Sequence, residues 1–68
     1  MPFIKVDAGL LTTEQKKQLI EELTESTARI MGLPAQTIHV LIDQNPPENW
    51  GVGGRQLAEI IAEREKNK

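Results

Sequence analysis

From Phe3 to Ala8 the chain alternates, with Ile4, Val6 and Ala8 on one side and Phe3, Lys5 and Asp7 on the other. A period of two predicts a strand with one dry face. Gly9 breaks the alternation. Thr12 followed three residues later by Gln15 fits a capping box, and Glu14 sits favourably near the positive end of a helix dipole. A helix is therefore predicted to begin here. Along it Leu19, Ile20, Leu23, Thr27, Ile30 and Met31 recur at three- and four-residue steps as one buried stripe, while Lys16, Lys17, Glu21, Glu22, Glu25 and Arg29 fall mostly on the outer side. Gly32 suits the left-handed residue past a helix end, Leu33 can supply the accompanying apolar contact, and Pro34 prevents resumption, so the helix stops at about Met31.

Ile38 to Asp43 predicts a second strand, with Ile38, Val40 and Ile42 on one face and His39, Leu41 and Asp43 on the other. Strand, long helix and strand make one right-handed βαβ unit with two parallel strands. Asn45 to Asn49 contains Pro46 and Pro47, which remove two donors, and is expected to be a loop. Trp50-Gly51-Val52-Gly53-Gly54 is expected to be a flexible segment around one large aromatic. Leu57, Ile60 and Ile61 suggest a short amphipathic helix before a charged, frayed tail from Glu63 to Lys68. The class is α+β in one domain, residues 1–68. Two strands and one long helix leave sheet edges and one sheet face uncovered, which neighbouring copies should complete as shared sheets.

Length sharpens that expectation. A chain of 68 residues buries only about 60% of the surface it exposes unfolded, and a single core of this size is marginal without a staple. Cysteine is absent and there is one histidine, so neither a disulfide nor a closed zinc site is available, and no metal is expected. Other copies of the chain are the remaining staple. Eight basic and ten acidic side chains, spread without blocks, give a net charge of −2, which argues against nucleic acid and against an anionic membrane surface as partners. No apolar run approaches a membrane span and no signal-peptide pattern opens the chain, so a cytoplasmic location is expected.

Conventional catalytic patterns are thin. Hydroxyls at Thr12, Thr13, Thr24, Ser26 and Thr27 occupy helix or cap positions, and His39 has no evident triad partner. The Gly51 to Gly54 run lacks a P-loop lysine and a preceding strand, so a turn or bulge is its expected use. Position 2 is more informative. Removal of Met1 ahead of the small Pro2 would leave a free secondary amine. An α-amine titrates about 2.5 pH units below a lysine, and apolar surroundings lower an amine further by penalising the cation. Such a nitrogen can act as a general base near neutral pH.

Met1-Pro2-Phe3-Ile4 opening the first strand, Thr13-Glu14-Gln15-Lys16 opening the helix, Gly32-Leu33-Pro34 closing it, and Trp50-Gly51-Val52-Gly53-Gly54 together resemble the 4-oxalocrotonate tautomerase family over residues 2 to about 57. The resemblance implies a βαβ subunit that dimerises into a four-stranded sheet, with three dimers forming a homohexamer. It implies an isomerase without cofactors, in which Pro2 moves a proton in an enol or unsaturated carboxylic acid, and in which Trp50 stands where members carry an apolar wall beside the amine. Two family arginines have no counterpart. The strand-to-helix loop offers Gly9, Leu10 and Leu11, and the second strand offers His39. Arg55 and Lys5 are the candidate replacement cations, and Phe3, Leu10 and Trp50 are apolar candidates for the substrate body. His39 has a functional reading, binding a carboxylate or polarising a carbonyl, and a structural one at a subunit interface. Glu48 is the candidate for activating a water, as in the hydratase and dehalogenase members. Those reactions, and a non-catalytic oligomeric scaffold, are the alternative readings.

Overall fold

The computed structural model describes residues 1–66. The first strand, β1, spans Phe3–Ala8, the long helix α1 spans Thr13–Met31, and the second strand β2 spans His39–Gln44. β1 and β2 pair in parallel, Phe3 opposite His39 through to Ala8 opposite Gln44, so the long helix is the crossover that a parallel pair requires. Local chemistry fixes its ends. Thr12 Oγ1 accepts from the Gln15 amide at 3.1 Å while Gln15 Oε1 accepts from the Thr12 amide at 2.9 Å, closing the capping box. At the other end Gly32 takes φ 66°, and the Leu33 amide donates to the Ala28 carbonyl. The second strand starts at His39 rather than Ile38. The Ile38 amide closes a 3₁₀ turn over Ala35–Thr37 by donating to the Ala35 carbonyl, and so cannot join the ladder.

Three other expectations are corrected. The glycine run makes the expected turn, but the segment from Trp50 to Gly54 is not flexible: it belongs to a tight hairpin in which β3 (Gly51–Val52) pairs antiparallel with β4 (Arg55–Gln56). Gly53 and Gly54 both have positive φ, 61° and 86°, as the two-residue turn that matches strand twist demands. The last helix, α2, runs from Leu57 to Lys66, so the frayed tail expected from Glu63 is helical as far as it is described; residues 67–68 lie outside the described residues. Its continuation is supported by the pairing of Glu59 and Glu63 with Arg55 and by Arg64 and Lys66 in the last turn.

The third correction concerns α1. Leu19, Leu23 and Thr27 are half-buried against the sheet, but Ile20 is exposed, and Ile30 and Met31 keep 73% and 54% of their surface. Nineteen helical residues span about 28 Å, whereas six-residue strands span about 20 Å, so the final turn of α1 overhangs the sheet. The far face of the sheet is equally uncovered, with Phe3 64% and Leu41 47% exposed. No described residue is fully buried. The accessible surface is 5359 Å², against about 4,300 Å² for a compact monomer of this mass. The radius of gyration is 16.0 Å, against about 11 Å for a compact chain of this length.

A subunit without a core should be folded only when assembled. In sedimentation at micromolar concentration the protein should run as a multimer, and its melting temperature should rise with concentration. A folded monomer with a concentration-independent melting temperature would contradict this.

Candidate active site

Pro2 is half-buried directly before β1, and its carbonyl accepts from the His39 amide at 3.1 Å, extending the parallel ladder by one bond. The bond fixes the start of the chain against β2. His39 itself is turned to the open face of the sheet, where its ring stacks on Phe3 with centroids 6.1 Å apart and planes 10° from parallel. The backbone thus brings Pro2 and His39 together, while the imidazole is seated on Phe3. Next along that face, Lys5 Nζ lies 3.1 Å from Asp43 Oδ2. The hydrogen bond and then the charge of Asp43 hold the Lys5 ammonium above the usual lysine range.

Arg55 stands on the separate hairpin that follows Trp50, whereas Leu10 and Trp50 belong to the opposite end of the sheet. There the Asn45 amide donates to the Ala8 carbonyl at 2.8 Å, and Gln44 Oε1 accepts from the Leu11 amide at 2.8 Å. These bonds hold the loop from β1 to α1, on which Leu10 stands exposed. Trp50 ends a 3₁₀ turn over Pro47–Asn49 and accepts at its carbonyl from the Leu57 amide at 2.7 Å. With Asp7, Asn45, Asn49 and Gly51, Trp50 lines an open cleft of about 270 Å³. Glu48 is exposed, and its carbonyl receives the Gln56 side-chain amide at 2.9 Å, an anchor between the turn and the hairpin.

Arg55 is engaged within its own chain. Its Nη1 and Nη2 donate to the two carboxylate oxygens of Glu63 at 3.1 and 2.8 Å, and Glu59 stands 3.7 Å away. Hydrogen bonding from Arg55, reinforced by its charge, depresses the Glu63 carboxyl below the usual glutamate range, and the same contact raises the guanidinium.

Pro2 and Trp50 are therefore far apart in one subunit. Asp7, on the rim of the Trp50 cleft, is about 16 Å further along the strand than Pro2 at 3.3 Å per residue. The candidate base and the candidate apolar wall of the sequence analysis thus lie at opposite ends of one sheet. The polar rim of Asp7, Asn45 and Asn49 is absent from the sequence reading, although the two asparagines bracketing Pro46-Pro47 are a turn signal that predicts their clustering. Glu63 had no local signal at all. Among the described residues no group of histidine, aspartate and glutamate side chains is arranged to hold a metal ion, and no helix is long and apolar enough to cross a membrane.

Residues 2–60 match the model of the tautomerase family, described as tautomerase enzyme. The probable tautomerase K2 of Dickeya dadantii (strain 3937) is 39% identical over 61 residues, 87% of this chain and 91% of that protein. The 2-hydroxymuconate tautomerase of Pseudomonas putida is 34% identical over 61 residues, 88% of this chain and 97% of its own. The crystal structure of TomN, a 4-oxalocrotonate tautomerase homologue in the tomaymycin biosynthetic pathway, superposes with a TM-score of 0.84 at 34% identity, covering 90% of this chain and 95% of that one.

The Arg55–Glu63 contact makes a pH prediction. Because the folded carboxyl is depressed, its stabilising contribution is present above the unfolded glutamate value, about 4.3, and is lost as pH falls through the lower folded value. In a carbon-detected NMR titration Glu63 should titrate below an ordinary glutamate, and Arg55→Ala should return it to that range. An unmoved Glu63 in the variant would mean that Arg55 is not its partner in solution.

Proposed function

Because the chain belongs to the tautomerase family, we propose that it is an isomerase in which the nitrogen of Pro2, freed by removal of Met1, serves as general base on an enol or unsaturated carboxylic acid. The observation that carries this reading is the position of Pro2. It is the first residue of the family match, it is half-buried, and its carbonyl is tied to β2. A base held on a strand rather than a loose terminus has a defined direction of attack.

The proton balance is internal. The neutral amine accepts the hydroxyl proton of a 2-hydroxydienoate, the released electron pair forms the carbonyl, and the π electrons shift along the chain. The ammonium then returns its proton to a carbon. Nothing is consumed, and the amine is regenerated neutral. Its pKa must therefore lie near the working pH, which an apolar wall favours by penalising the cation. Trp50 of a second copy is the wall in this reading, since the Trp50 of the same chain lies at the other end of the sheet. A homohexamer built as a trimer of dimers would bring Pro2 of one copy to Trp50 of another while covering the open sheet face.

The decisive comparison is between processed protein and protein retaining Met1, each of verified intact mass, on the same enol acid. With Met1 attached the Pro2 nitrogen is an amide whose lone pair is delocalised, and activity should be lost by several orders of magnitude. Equal activity would remove Pro2 from the mechanism.

Trp50→Ala should keep the assembly while admitting water to the amine. Relieved of desolvation, the cation becomes easier to form, so the amine pKa rises and the ascending limb of the pH–rate profile moves to higher pH, with a lower rate at neutral pH. An unmoved profile with an unchanged rate would restrict Trp50 to packing.

A further inference from the structure

The cleft at the end of the sheet holds a charge that the Pro2 mechanism does not use. Asp7, Asn45, Asn49, Trp50 and Gly51 line it, and the Asp7 carboxylate is the one charged group among them. The neighbouring cations are engaged elsewhere. Lys5 Nζ lies 3.1 Å from Asp43 Oδ2 and Arg55 is held by Glu63, so among the described residues no cation stands within ion-pair distance of Asp7. Asp7 reaches Lys5 only through its field.

The polar groups around Asp7 are weighted towards acceptors. The main-chain amides of Asn45, Asn49 and Trp50 donate to the carbonyls of Ala8, Pro46 and Pro47 and are spent. Asn45 Nδ2 donates to the Asp43 carbonyl at 3.3 Å, which leaves its Oδ1 to accept. The remaining donors, the indole N–H, the Gly51 amide and the Asn49 side chain, are neutral and give an anion no counter-charge. An anion entering the cleft meets the Asp7 charge unopposed, whereas a cation with an N–H gains a charge-assisted hydrogen bond. One carboxylate and one or two amide oxygens are too few ligands for a hard metal ion. The half-buried Trp50 ring adds a flat apolar surface for methylene groups.

We propose that this cleft is a binding site for a small organic ammonium, with Asp7 as its counter-charge, Asn45 Oδ1 as a second acceptor and Trp50 as the platform for its carbon skeleton. The inference is separate from the Pro2 mechanism and involves no turnover. Such a group has two sources, a dissolved amine and the amino terminus of another copy. The subunit's own amino terminus is excluded by the length of strand between Pro2 and Asp7.

Pyrrolidinium, cyclopentanol and cyclopentanecarboxylate test this, because they share a five-membered ring and differ in charge. Binding to the assembled protein, with its amino terminus free or acetylated, is read from the indole NMR signal of Trp50, the only tryptophan. In at least one of these forms pyrrolidinium should bind in the millimolar range, about tenfold or more tighter than either other ring. The signals it moves should centre on Asp7, Asn45, Asn49, Trp50 and Gly51, a reading that needs no variant to fold. Asp7→Asn, which keeps size but removes charge, should cut the preference for pyrrolidinium over cyclopentanol to less than about twofold, and Asp7→Glu should keep it. Acetylation separates the sources. Binding unchanged by it identifies a dissolved amine as the ligand, and binding that appears or tightens identifies the amine of another copy. No preference for pyrrolidinium in either form, shifts centred outside the cleft, or a preference that survives Asp7→Asn would each overturn the inference.

Discussion

The parallel ladder between β1 and β2 is the constraint on which the rest of the molecule depends. A parallel pair cannot be closed by a tight turn, so its two strands are joined by a crossover, and here the crossover is nineteen residues of helix over strands of six. The helix covers one face of the sheet and outlasts it. The other face, both edges and the last turn of the helix remain open, and a chain of 68 residues has no second layer to place there. The same ladder sets the distance between the chemical groups. Pro2 stands at one end of β1 and the Trp50 cleft at the other, so the length of a strand separates the two within one subunit.

What the sequence made legible follows from how local each interaction is. The capping box at Thr12 and Gln15 and the left-handed Gly32 are contacts within four residues, and their residue types determine them almost completely. The alternation in β1 likewise needs only its own six residues. Ile38 was misassigned because its apolar side chain fits a strand while its amide is committed to a 3₁₀ turn, and hydropathy carries no information about where an amide donates. The stripe on α1 was read correctly as a helical period but not as a burial pattern. Burial depends on how far the sheet extends beneath the helix, and a helix sequence does not state the length of the strands it crosses.

The site divides along the same line. Pro2 is legible because an amino-terminal secondary amine has chemistry that few other positions can offer. The hairpin was visible in principle, since Gly53-Gly54 between Val52 and Arg55 is the residue pair that a two-residue turn with two positive φ values requires. The pairing of Arg55 with Glu63 was not, because it joins a strand to the second turn of a helix whose start depends on that strand. Arg55 reads in sequence as a free cation for a substrate, and the fold supplies it with a carboxylate.

The open face of the sheet carries the same logic into assembly. Phe3 and Leu41 need covering, yet Lys5, Asp7, His39 and Asp43 share that face with them. An uncompensated charge is costly to bury, whereas a charge that brings its partner can be covered with far less penalty. Lys5 is paired with Asp43 inside the subunit, and Asp7 adds its own field to the same ammonium. His39 is stacked on Phe3, so the aromatic surface is preassembled before any second copy arrives. A subunit that must be covered to be stable thus settles its charges internally and presents its apolar residues between them. Contact with another copy then adds apolar burial without requiring that copy to supply the counter-charge for Lys5. The pairing on the hairpin obeys the same rule, since Arg55 meets its carboxylates within the chain and so ties the hairpin to α2.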